Sequence, residues 1–126
     1  VTSGPALVSI LRQGDVLVAS VHTALDDSQM LRFQHDLVRQ IGEHRARGVI
    51  IDVAALDVID SFASRTLQSI ADISRLRGAA TVIVGIQPDV AFAMVRLGMG
   101  IGELPTALDL EEGMVHLARV RDRARR

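Results

Sequence analysis

Two mainly apolar, β-branched runs, residues 49–53 and 81–85, each followed after a short connection by a segment of helical period, constrain this chain more than any other feature. A strand apolar on both faces has to be covered on both faces. Repeated strand–helix units of this length call for right-handed crossovers and a mainly parallel sheet. The rest of the chain fits that frame. Residues 7–11 and 16–21 are short β-rich runs separated by Gln13-Gly14-Asp15, which reads as a hairpin. A first helix is expected over about 27–45, with Met30, Phe33, Leu37, Val38 and Ile41 on its inner face and Asp26 or Asp27 as its cap.

A second helix is expected from Ser61 to just before Gly78, with Phe62, Thr66, Leu67, Ile70, Ile73 and Leu76 facing inward. Pro88 opens a third helix, which ends near Leu97. The glycines at 98, 100 and 102 then lead to an extended piece over 104–107. Asp109 caps a fourth helix running to about Val120. The expected order is ββαβαβα(β)α: an α/β fold, one domain, with a mixed, mainly parallel sheet and about four helices. The 126 residues suffice for one core and not for two. The domain is expected to span 1–126, with its core over about 7–118 and a basic tail over 119–126.

Absences narrow the chemistry. The chain has no Cys, which excludes disulfides, thiolate nucleophiles and Cys-ligated metals. It also has no Lys, since all 14 basic residues are Arg, so Schiff-base chemistry and a phosphate-loop lysine are excluded. Phe33, Phe62 and Phe92 are its only aromatics, too few for the stacking platforms of single-strand nucleic-acid binding. The four histidines fall into no metal-binding spacing, and neither metal nor cofactor is implied. Gly98-Met99-Gly100-Ile101-Gly102 follows a helix instead of a strand, so it reads as a helix terminator and not as a phosphate cradle.

The formal net charge is −1, unevenly placed: residues 119–126 contain five Arg and one Asp. That stretch reads as a last helical turn with cations suited to the dipole, then fraying, and not as a nucleic-acid arm. No apolar run approaches the ~20 residues that span a bilayer, and no secretion signal is visible. The expected compartment is the cytoplasm.

The residues most apt to carry function lie between the first apolar run and the second helix. Asp57 and Asp60 precede Ser61, and Ser61 stands where a helix begins, beside main-chain N–H groups that favour negative charge. Ser61, Ser64 and Thr66 are possible phosphoryl acceptors, while Asp60 or Ser61 equally suits a plain N-cap. No Gly-x-Ser-x-Gly elbow surrounds Ser61, so no catalytic nucleophile is expected. Asp26 and Asp27 lie in another loop on the same expected sheet edge, where sites gather in parallel folds.

Val58-Ile59-Asp60-Ser61-Phe62, Gly85-Ile86-Gln87-Pro88 and Thr106-Ala107-Leu108-Asp109-Leu110-Glu111 occur here in that order. Val18-Ala19-Ser20-Val21, Leu25-Asp26-Asp27 and Phe33-Gln34-His35-Asp36-Leu37 precede them. Together these segments resemble the STAS-domain family of bacterial anti-sigma-factor antagonists, in its stressosome type, over about 7–117. The resemblance implies a non-enzymatic scaffold in a partner-switching stress-response pathway. Ser61 is the position phosphorylated by a switch serine kinase of the histidine-kinase-like ATPase fold. Asp26, Asp27, Asp57, Asp60, Phe62 and Ser64 are its neighbours or part of the partner interface. It further implies sequestration of that kinase until phosphorylation releases it, assembly with sensor paralogues carrying STAS domains, and a phosphatase that resets the switch. The competing reading is a regulatory domain that binds a small molecule or nucleotide at the same loops.

Overall fold

The computed structural model describes residues 7–124, and the expectations for the first six residues and for Arg125 and Arg126 lie outside it. In chain order the elements are β1 (Val8–Gln13), β2 (Val16–Val21), α1 (Asp27–His44), β3 (Gly48–Asp52), α2 (Ser61–Leu76), β4 (Ala80–Val84), α3 (Pro88–Arg96), β5 (Thr106–Ala107) and α4 (Leu110–Ala124). The five strands lie in the order β1-β2-β3-β4-β5. The first pair is antiparallel and the other three pairs are parallel.

The hairpin is tighter than its sequence suggests. Gln13 pairs with Val16, so β1 runs to the turn and only Gly14 and Asp15 form the loop. Gly14 supplies the positive φ of 63° that a two-residue hairpin of this kind needs at its first position.

Because the strand order never reverses, right-handed crossovers place α1, α2 and α3 on one face of the sheet. There Phe33, Leu37 and Ile41 of α1 and Leu67 and Ile70 of α2 pack onto Leu17, Val49, Ile51 and Ile83. The opposite face is left to α4. Leu117 and Met114 cover Val16, Ile50, Val82 and Val84. The two apolar runs are therefore covered on both sides, as their composition demands.

Some of the expected boundaries and inner positions shift. Strand β4 begins at Ala80 and ends at Val84, because Gly85 turns out of the strand with a φ of 81°. Helix α4 continues to Ala124, past the expected end near Val120, and Arg121 on it bonds Asp15 in the hairpin turn at 2.7 Å. Residues 119–124 are thus a helical turn and more, docked at its start, and not a frayed tail. On α2, Leu76 is exposed and Ser74 takes the buried position, since the helix ends beyond the edge of the core.

Candidate functional site

The loops that follow β2, β3 and β4 all emerge at the carboxyl edge of the parallel sheet, and each leads into the amino end of a helix. Asp26 is the N-cap of α1 and completes a reciprocal box with Gln29. The Asp26 carboxylate accepts from the Gln29 amide at 2.8 Å, and the Asp26 amide donates to Gln29 Oε1 at 2.8 Å. Asp27 is exposed in the first turn, complementing the dipole.

Asp60 has the same role on α2. Its backbone is extended (φ −81°, ψ 178°) and its carboxylate accepts from the Ala63 amide at 2.8 Å. The choice the sequence leaves open between Asp60 and Ser61 is thereby made: Asp60 caps, and Ser61 is the first helical residue. Ser61 is exposed, and no hydrogen bond among the described residues engages its hydroxyl. The amides of Ser61 and Phe62 likewise have no protein acceptor among the described residues, as expected at a helix start. Capping explains Asp60 and leaves Ser61 without a structural duty. Asp60→Ala is expected to cost about 1 kcal/mol of stability by loss of the cap, read as a lower midpoint in urea with an unchanged slope.

The remaining expected site residues divide. Asp57 is exposed in the β3–α2 loop. Phe62 is half-buried and packs against the core, with its carbonyl accepting from Thr66 Oγ1 at 2.9 Å. Ser64 is 3% exposed, buried on the inner face of α2, so neither it nor Thr66, at 5%, is open to a modifying enzyme. The β3–α2 loop is tied to the next one. Gln87 Nε2 donates to the Ala54 carbonyl at 2.7 Å, and Asp52 accepts from the Ala54 amide at 2.9 Å. Gly85 lies so close that an added Cβ would stand 2.9 Å from that of Ala54. This end of the molecule is therefore braced before any partner arrives.

Apolar side chains that the sequence reading did not single out are exposed at or near the same edge. They are Val58 at 59%, in the loop before Ser61, and Phe92 on α3 at 68%; Val95, at 82%, lies in the last turn of the same helix. The available signal was the unbroken apolar run from Val90 to Val95, set between Asp89 and Arg96 in α3. Two sizeable clefts lie away from Ser61, about 790 Å³ between β1 and α1 and about 580 Å³ between α2 and α4. Among the described residues no histidine is bonded to Ser61; His22 contacts Ser9 and His44 contacts Arg12. No set of three metal-ligating side chains converges, and no helix is long and apolar enough to cross a membrane, again among the described residues.

A family model described as the STAS domain matches residues 8–113. The chain belongs to the STAS-domain family. RsbS of Moorella thermoacetica, solved as a serine-to-glutamate variant, superposes on this STAS domain with a TM-score of 0.78 at 32% identity, covering 93% of this chain and 99% of that one. A chain of the stressosome, described there as a signal integration and transduction hub, gives 0.70 at 29% identity, covering 90% and 98%. RsbRA of Bacillus subtilis, an RsbT co-antagonist, is 25% identical over 109 residues, which are 86% of this chain and 40% of that protein. The STAS domain here thus spans well under half the length of that relative. The anti-sigma-factor antagonist SpoIIAA, at 16% identity, shares the fold. The resemblance read from the short motifs is borne out as to family, fold and RsbS-like character.

Proposed function

We propose that this STAS domain is a non-enzymatic phospho-switch scaffold of a stressosome-type, partner-switching pathway, with Ser61 as the phosphoryl acceptor. One observation carries the reading: Ser61 is an exposed first-turn serine whose capping duty is already discharged by Asp60. A phosphate there adds about −1.5 to −2 charges at a helix terminus that favours anions, with the Ser61 and Phe62 amides as donors. Arg65, exposed one turn further along α2, stands at the i+4 spacing that lets opposite charges meet on a helix. The fold therefore accommodates the modification while the surface around it changes sign and hydration.

The unmodified surface suits a protein partner. Val58 and Phe92 offer apolar contact, with Asp26, Asp27, Asp57 and Asp60 as a polar margin. In this reading the partner is a switch serine kinase of the histidine-kinase-like ATPase fold, held until Ser61 is phosphorylated and recovered when a phosphatase removes the group. Sensor paralogues with STAS domains complete the assembly, in line with the similarity to RsbRA and to the stressosome chain. Work of this kind takes place in the cytoplasm. The nucleotide-binding alternative lacks Lys and stacking aromatics, and the two sizeable clefts lie away from Ser61.

The direct test is incubation with the cognate kinase and ATP, followed by peptide mapping. Phosphate is expected on Ser61 and not on the buried Ser64 or Thr66. Phosphate retained at wild-type stoichiometry by Ser61→Ala would overturn the assignment.

A further inference from the structure

Of the two sizeable clefts, the smaller carries chemistry that the switch reading leaves unused. The cleft between β1 and α1 is lined by no buried polar side-chain atom that lacks a partner among the described residues. The cleft of about 580 Å³ between α2 and α4 is lined by two residues with such atoms, Thr81 of β4 and Gln68 of α2. Thr81 is 5% exposed and its Oγ1 meets no donor or acceptor. Gln68 Nε2 donates to Asp72 at 3.2 Å, which sets the orientation of the amide and leaves the buried Oε1 without a donor. Gly102 gives that oxygen its room, since a Cβ there would stand 2.8 Å from it. A buried polar atom left unmet destabilises the free domain, so a bound group that satisfied it would be favoured.

The backbone is open at the same spot. Strand β5 pairs only with Ile83 and Val84. The Ile83 amide donates to the Pro105 carbonyl at 3.0 Å, and one further step of this parallel ladder toward Thr81 needs an amide at residue 105. Proline has none, so no strand covers β4 at Thr81, and the cleft opens there. Ala71, Ala79, Leu104, Pro105 and Val120 make much of the lining apolar. The ionisable groups in it, Asp72, Glu103, Arg75 and His116, are of mixed sign and select neither an anion nor a cation. The volume falls within the roughly 300–1,000 Å³ of small-molecule sites.

We propose that this cleft binds a small uncharged ligand with a carboxamide head and an apolar body. The carboxamide N–H donates to Gln68 Oε1, its carbonyl accepts from the Thr81 hydroxyl, and the body lies against Leu104, Pro105 and Val120. Both protein atoms lie just beneath the cleft surface, so binding includes a side-chain rotation of the ordinary extent. A carboxamide supplies a donor and an acceptor together, whereas a carboxylate only accepts and an ammonium only donates. The ligand lies along the carboxyl-terminal half of α2, the helix that Ser61 opens. The inference is independent of whether Ser61 is phosphorylated, and its test uses the unmodified full chain.

The probe is benzamide, titrated into labelled protein and followed by amide NMR. It is expected to give saturable shifts at Gln68, Thr81 and Leu104 at roughly millimolar concentrations, the range of so small a molecule. N,N-Dimethylbenzamide, which lacks the N–H, and benzoate, which is charged, are each expected to bind at least about fivefold more weakly. Thr81→Val removes the hydroxyl and Gln68→Leu removes the amide oxygen, and circular dichroism checks both folds. Each variant is expected to weaken benzamide binding about fivefold or more, while the urea midpoint holds or rises because an unmet polar atom has gone. A purely structural role would move the midpoint and leave the titration unchanged. If one variant fails to fold, the other decides. A wild type without saturable shifts, wild-type affinity in a folded variant, or equal binding of the dimethylated probe would each overturn the proposal. Binding of a blocked extended tripeptide but not of benzamide would also overturn it, since the open edge of β4 would then receive a strand. None of those results bears on phosphate mapping at Ser61, so the switch reading stands or falls separately.

Discussion

Ser61→Asp is expected to weaken binding of the cognate kinase at least thirtyfold while leaving the melting temperature unchanged or slightly higher. The two halves have different physical origins. In the free domain the new carboxylate lies at the amino end of α2, where a negative charge contributes about 0.3–1 kcal/mol and the Ser61 and Phe62 amides are available. The neighbouring Asp60 carboxylate, already committed to the Ala63 amide, offsets part of that gain. In the complex proposed above, the same charge would have to shed its water beneath a partner packed on Val58 and Phe92. An unpaired charge so buried costs roughly 2–5 kcal/mol, the larger end corresponding to several thousandfold. The interfacial cost exceeds the helix-terminal gain severalfold, so binding is lost and the fold is kept.

Ser61→Ala is expected to behave in the opposite way, holding the kinase even with ATP present, because no phosphate forms. Titration calorimetry alongside circular dichroism reads both halves. Phosphorylated wild-type protein that binds the kinase as tightly as unmodified protein would show that Ser61 is a helix-start residue and nothing more.

The second large effect is expected in the core. Gly113→Leu should destabilise the domain by about 1–3 kcal/mol or more, seen as a lower urea midpoint. Gly113 is buried in α4, where a Cβ would stand 2.8 Å from Val84 Cγ1 and 3.4 Å from Ile50 Cδ1. A helix-interior glycine ordinarily costs about 1 kcal/mol relative to Ala, so an exposed site would gain from the substitution. Here the gain is outweighed, because a larger side chain lifts α4 from Ile50, Val82 and Val84, and this helix alone covers that face. Gly113→Ser, with a smaller added volume, is expected to lose less. A stabilised Gly113→Leu variant would mean that α4 packs elsewhere.

Much of the architecture was legible because it follows from local rules. The apolar β-branched runs had to be buried strands, and the 3–4 spacing through Met30, Phe33, Leu37 and Ile41 had to be the inner face of a helix. Asp26, Asp60 and Asp109 have the side chains that satisfy free amides at helix starts, and each caps a helix here. Successive strand–helix units then admitted a short list of parallel topologies, and the motifs around Ser61 supplied the family.

Other features depend on which elements meet, and no local rule encodes that. Asp60 and Ser61 are equally good caps in isolation; the backbone path out of β3 makes Asp60 the cap and leaves Ser61 exposed. Leu76 continues the apolar period of α2, yet the core ends before it does. Residues 119–124 resemble a frayed tail by charge alone, but Asp15 in a turn 106 positions away gives Arg121 a partner. Gly113 is a poor helix residue until Val84 is seen beneath it. Arg45 and Arg47, just after α1, and Arg77, at the end of α2, line one pocket of about 440 Å³, which only the folded sheet brings together. Sequence determined the elements, the short list of residues able to cap them and the family, because those follow from period and from neighbours along the chain. Tertiary structure decided which serine is free and which charges lack a partner, because burial and pairing depend on contacts between residues far apart in sequence.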